Sequence, residues 1–135
     1  MSINQKYQKK ILLLAAILGA ITIAIGAFGA HGLKKIVAVA SVSSFETGVR
    51  YQMYHVIALL FLGTTSKVQL HYLKWATHLF LAGIVLFSGS IYILALKEYM
   101  PFSIRFLGPI TPLGGLSFIL GWISIGMGVL KKVPS

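Results

Sequence analysis

The 135-residue chain contains no cysteine and no aspartate, and its only acidic residues are Glu46 and Glu98. The missing cysteine excludes disulfides, thiolate metal sites and thiol nucleophiles. Without aspartate, the usual source of paired carboxylates for acid–base hydrolysis is gone as well. Charge is scarce, at 10% of residues, while hydrophobic residues make up 57% and the mean hydropathy is +0.87. A water-soluble domain does not have this composition, so the bilayer is the expected solvent. The length suits one domain over residues 1–135, in which four spans of about 20 residues each leave only short loops.

What charge there is has one sign. Twelve Lys and Arg against two Glu give a formal charge of +10, a balance that in a soluble chain suggests nucleic acid. Here the basic residues flank apolar runs: Lys6, Lys9 and Lys10, then Lys34 and Lys35, then single residues, then Lys131 and Lys132. That is the distribution of membrane-flanking anchors, and nucleic acid is excluded as a partner.

The spacing predicts an all-α integral membrane bundle of four transmembrane helices. Residues 11–30 are uncharged and match the hydrocarbon thickness. Their basic lead-in resembles a signal peptide, with Ala27-Phe28-Gly29 as a cleavage site, but the length of the run and the spans after it favour a retained helix. The motif Ser43-Ser44-Phe45-Glu46 reads as a capping box, with Ser43 as N-cap of a helix over 44–65. Residues 33–42 are expected to form an interfacial turn or short helix. Residues 75–96 form the third span, with Trp75 at the headgroup level. In the fourth, Thr111 is read as N-cap and Pro112 as the first helical residue of 112–130, after an irregular stretch containing Pro109. Gly114, Ser117, Gly121, Ser124 and Gly128 form a heptad seam of small residues along this helix, suited to close packing in lipid. Ala16, Ala20 and Ala24 of the first helix are the expected counterpart, and Gly83, outside any such seam, is expected to tolerate bulk better than Gly121.

Up-and-down topology brings the informative polar residues to one end: His31, Glu46, Thr47, Arg50, Gln52, His55, Ser88, Ser90, Tyr92 and Thr111. Polar groups in the membrane are costly and pair or face a cavity, so a polar pocket is expected there. Glu46 and Arg50 form an i,i+4 pair, and His55 is expected to bond a hydroxyl of Ser88, Tyr92 or Thr111. Each residue also has a structural explanation: Glu46 as a capping partner, His31 as a helix-end residue, Tyr51 and Tyr54 as an aromatic belt. A zinc site of His31, Glu46 and His55 fails on reach, because Glu46 and His55 are about 13.5 Å apart in helical rise. No metal, cofactor or catalytic residue is assigned, since Ser88 and Ser90 lack an acid and base arranged as a triad.

These motifs form a pattern: Gly26-Ala27-Phe28-Gly29-Ala30-His31-Gly32-Leu33, Phe45-Glu46-Thr47-Gly48 with Tyr51-Gln52-Met53-Tyr54-His55, Phe87-Ser88-Gly89-Ser90-Ile91-Tyr92, and Ile110-Thr111-Pro112-Leu113-Gly114-Gly115 with Gly121-Trp122. The pattern resembles the domain of unknown function 423 family, which includes the eukaryotic transmembrane protein 256. The resemblance covers nearly the whole chain. It implies a small multi-pass membrane protein and supplies no reaction or substrate.

The favoured reading is a non-enzymatic bundle that binds membrane lipids, a second copy of itself or another membrane protein. The alternative is a transporter or channel component using the polar half-pocket. Lys and Arg number seven at the end that carries both termini and five at the other, which places the termini in the cytoplasm of a cell membrane.

Overall fold

The computed structural model describes residues 1–133, and among these no strand occurs. Helix α1 spans Ile3–His31. It starts well before residue 11 because Ser2 and Gln5 form a capping box, each side chain bonding the other's backbone N–H. Helix α2 spans Val39–Thr64 and follows a 3₁₀ turn at Leu33–Lys35. The expected capping box at Ser43 is not formed. Nothing between Ile36 and Ser43 breaks a helix, so α2 begins a turn earlier with Ala38 as N-cap and no side-chain cap.

Helix α3 spans Leu70–Ala95. It is α-helical over Leu70–Gly83, widens into a π-helical segment over Ile84–Gly89 and returns to α-helix over Ser90–Ala95. The approach to the last helix contains a 3₁₀ turn at Arg105–Leu107, and α4 spans Ile110–Leu130. Here too the sequence-based cap is displaced: Pro109 is the N-cap and Thr111 lies inside the helix. Pro112 then falls in the first turn, where a backbone N–H has no intrahelical partner to lose.

Three stretches, Ile3–Lys35, Leu70–Ala95 and Arg105–Leu130, are long and apolar enough to cross a membrane. Although α2 is 26 residues long, it is not among them, because Arg50, Gln52 and His55 interrupt its apolar run. Against the sequence expectation of four spans, three helices qualify on length and composition.

Helix α1 packs along α2, α2 along α3, and α3 along α4. The seam of α4 faces α3, not α1, and Ala16, Ala20 and Ala24 are exposed. Helix α1 buries only a narrow stripe at Ile11, Ala15, Thr22 and Gly29, whose spacing keeps one edge against α2. Along α4 the glycines and serines divide the work. A Cβ at Gly114 would run into the backbone of Phe87, one at Gly121 would lie 2.5 Å from the Phe80 ring, and one at Gly128 2.6 Å from Val68. Between them, Ser117 Oγ donates to the Leu79 carbonyl at 2.6 Å and Ser124 Oγ to the Tyr72 carbonyl at 3.0 Å. The glycines admit α3, and the serines bond its backbone. Gly83 is no more tolerant than Gly121, because a Cβ there would strike the Phe118 ring.

Leucine substitutions along these helices should rank by what each meets. Gly114→Leu should be the most damaging, since backbone cannot yield. Gly121→Leu and Gly83→Leu should each lose about 1–3 kcal/mol. Gly126→Leu, with nothing within 4 Å of its Cβ position, should match the parent. Thermal unfolding in detergent measures the ranking, and equal stability of Gly114→Leu and Gly126→Leu would contradict it.

Candidate functional site

The buried polar side chains of α2 lie on the stripe that faces its neighbours. Phe45, Gly48, Gln52, His55 and Val56 are buried, while Glu46, Arg50, Tyr51 and Tyr54 are exposed. This periodicity turns Gln52 and His55 inward to two different environments.

Gln52 joins three helices. Its Nε2 donates to Thr22 Oγ1 of α1 at 2.8 Å, and its Oε1 accepts from the Tyr92 hydroxyl of α3 at 2.7 Å. Thr22 in turn donates to its own Leu18 carbonyl at 2.6 Å. Close approach of α2 and α3 at this level depends on Gly48, where a Cβ would lie 2.9 Å from the Tyr92 ring. The same glycine's carbonyl accepts a 2.7 Å bond from Ser88 Oγ, within the π-helical segment. The Tyr92 ring also packs on Phe45 with centroids 4.8 Å apart.

Ser90, two residues after Ser88, faces the other way. Its hydroxyl pairs with Thr111 of α4 at 2.5 Å and donates to the carbonyls of Leu86 and Phe87. Residues two apart on a helix lie on nearly opposite faces, so the two serines fasten α3 to different partners.

His55 is only 4% exposed, and its partners are not the expected hydroxyls. Its Nε2 lies 3.1 Å from Trp122 Nε1 of α4, and its Nδ1 lies 2.6 Å from the Tyr51 carbonyl. An indole N–H only donates and a carbonyl only accepts, so the imidazole is the neutral Nδ1–H tautomer. The ring stacks on Phe118 at 3.6 Å between centroids and 8° between planes, with Phe80 and Trp122 edge-on. Both ring nitrogens are engaged, which leaves no free base.

The ten residues grouped by sequence therefore do not line one pocket. Gln52, Tyr92 and Ser88 come together beside Gly48, Ser90 and Thr111 form a second group, and His55 with Trp122 forms a third. His31, Glu46 and Arg50 are exposed. Arg50 donates to the half-buried Thr47 hydroxyl at 3.1 Å, an i−3 neighbour that the guanidinium reaches towards the helix start. His31 closes the last turn of α1. Among the described residues no three His, Cys, Asp or Glu side chains are placed to hold a metal.

Sequence reasoning missed Thr22 and Trp122. Thr22 is the one hydroxyl in the apolar run of residues 11–30, and that isolation was its signal. Trp122 had only its place in the Gly121-Trp122 motif, and an aromatic in an apolar run reads as an ordinary lipid-facing residue. A recess of about 520 Å³ lies beside it, between α2 and α4, lined by Tyr51, His55, Phe87, Leu116, Phe118 and Trp122.

A double-mutant cycle on Gln52→Leu and Tyr92→Phe should give a coupling of about 0.6 kcal/mol, up to roughly 1.7, the range for interhelical hydrogen bonds in membranes. Strict additivity of the two losses in detergent unfolding would contradict the bond between them.

A family model described as "Protein of unknown function (DUF423)" matches residues 25–115, from the end of α1 into the first turns of α4. The chain is 42% identical over 125 residues to a UPF0382 membrane protein of Staphylococcus haemolyticus, covering 93% of this chain and 98% of that one. It is 40% identical to the UPF0382 membrane protein YwdK of Bacillus subtilis, over 91% of this chain and 98% of the relative. With the UPF0382 inner membrane protein YgdD of Escherichia coli the identity is 39%, over 89% and 88% of the two chains. No solved structure matches. Similarity of this extent, carried through the helices that hold the buried hydrogen bonds, makes the chain a multi-pass membrane protein of the DUF423 family.

Proposed function

We propose that the protein is a four-span bundle that acts by binding, with membrane lipid, a second copy or another membrane protein as its partner, and that it neither conducts a solute nor catalyses a reaction. The observation that carries this reading is the saturation of its interior. Among the described residues no buried side-chain nitrogen or oxygen lacks a hydrogen-bond partner. A conduction path needs polar groups free to replace an ion's or solute's water, and here those groups are held by neighbouring helices or by carbonyls of their own helix. The outer surface, by contrast, is apolar and grooved, as in the recess beside Trp122.

The fourth span in this reading is α2. Its low apolarity comes partly from Gln52 and His55, which are buried and bonded, while Ile57, Leu60 and Phe61 are exposed where lipid would lie. A helix is acceptable to the bilayer when its polar residues are satisfied inside the protein. Four spans place the termini on one side, and the seven-to-five distribution of basic residues makes that side the cytoplasm.

The transport reading would rest on the π-helical turn of α3 and the 3₁₀ approach to α4, irregular backbone of a kind found at transporter sites. Against it, Ser88, Ser90 and Thr111 at that level are already paired.

Proteoliposomes should show no ion or small-solute flux above protein-free vesicles, and crosslinking in native membranes should trap a discrete partner or a dimer. Saturable flux would overturn the binding reading. Reporter fusions at either terminus should both report the cytoplasm, and opposite locations would remove the fourth span.

A further inference from the structure

The end of the bundle opposite the hydrogen-bonded groups described above has a character of its own. Antiparallel packing brings the start of α1, the α2–α3 loop and the end of α4 together there. Gln8 Nε2 of α1 donates to the carbonyls of Leu62 and Thr65 at 3.1 and 2.6 Å, and Gln69 N–H donates to the Gly128 carbonyl of α4 at 3.0 Å. These bonds tie three chain segments around a recess of about 610 Å³. Asn4, Ser66, Gln69 and His71 line it with side chains that can donate hydrogen bonds, and Val133 closes one side.

The charged side chains described at this end are all basic. Lys6, Lys9, Lys10, Lys67, Lys74, Lys131 and Lys132 belong to this end, whereas both glutamates, Glu46 and Glu98, lie at the other. Three of the lysines directly adjoin lining residues in the chain: Lys9 follows Gln8, Lys67 follows Ser66 and Lys132 precedes Val133. Six of the seven are exposed, and Lys74 sits over the Tyr7 ring at 5.2 Å. With no Asp or Glu side chain among the described residues of this end to neutralise them, their potentials add over the opening.

We propose that this recess binds a phosphate-bearing anion, with the polar side chains holding the phosphoryl oxygens and the lysines supplying the attraction. The phosphate can belong to an anionic phospholipid headgroup or to a free phosphate compound. The inference deepens the lipid-binding reading and rests on it only for the first source. It does not depend on which side of the membrane this end faces.

The test uses the full-length protein in neutral detergent, with thermal stabilisation and native mass spectrometry as readouts. The probes are phosphatidylglycerol, phosphatidylcholine and inorganic phosphate. Phosphatidylglycerol should bind saturably and raise the melting temperature, phosphatidylcholine should not, and the effect should weaken with salt. The triple variant Lys67→Gln, Lys131→Gln, Lys132→Gln should bind about 100-fold more weakly, at roughly five-fold per lysine. Lys34→Gln with Lys35→Gln, at the other end, should bind as the parent does. Ser66→Phe, which fills the recess at an exposed position and leaves the charge unchanged, should also abolish binding.

Saturable stabilisation by inorganic phosphate alone assigns the site to a free phosphate compound, and stabilisation by phosphatidylglycerol alone assigns it to lipid. The proposal is overturned if neither stabilises, if the Lys34 and Lys35 variant loses as much as the triple variant, or if Ser66→Phe binds normally. None of these failures bears on the flux and crosslinking experiments, so they leave the binding reading standing on its own test.

Discussion

A polar side chain in hydrocarbon has no water to fall back on, and Gln52 shows how this bundle meets that constraint. Its amide spans from Thr22 of α1 to Tyr92 of α3, so one residue of α2 fixes the positions of the helices on either side. Net energies of such bonds are modest, about 0.6 kcal/mol on average, but the cost of leaving the groups unpaired in lipid makes the arrangement specific. The other polar contacts follow the same logic. Ser88 reaches the Gly48 carbonyl, Trp122 reaches His55, and Ser117 and Ser124 reach carbonyls of α3.

Small residues make this possible. A hydroxyl on one helix reaches a backbone carbonyl on the next only if the two backbones are close, and Gly48 and Gly114 are where a side chain would hold them apart. Packing and polar satisfaction are thus one design feature seen from two sides. The buried polar groups are thereby taken up in holding the helices together, and the proposed binding role leaves interaction with other molecules to the exposed faces and the cationic end.

The sequence made the α-helical class and the membrane setting legible because composition and 20-residue apolar runs reflect the solvent directly. The α4 seam was legible for the same reason, since five small residues at heptad spacing have few other uses. Its partner was not, because helix adjacency depends on side-chain shape across long sequence separations, and the regular Ala16, Ala20 and Ala24 proved to face outward. Capping motifs misled at Ser43 and Thr111, where neighbouring residues simply allowed the helix to begin earlier. The polar residues grouped by sequence are spread along the bundle, with Glu46 and His55 about 13.5 Å apart in helical rise. Rotation about each helix axis then distributed them among separate partners, and a list of residues by depth carries no such information.

In the proposed four-span arrangement α2 crosses the membrane with Gln52 and His55 turned inward. The chain's lack of cysteine permits a direct measurement with single cysteines at Glu46, Ile57 and Lys67, probed by a membrane-impermeant maleimide on intact and inverted vesicles. Glu46→Cys and Lys67→Cys should label from opposite faces, and Ile57→Cys should resist labelling from both. Labelling of Glu46→Cys and Lys67→Cys from the same face would contradict the account, because α2 would then return to the side it left.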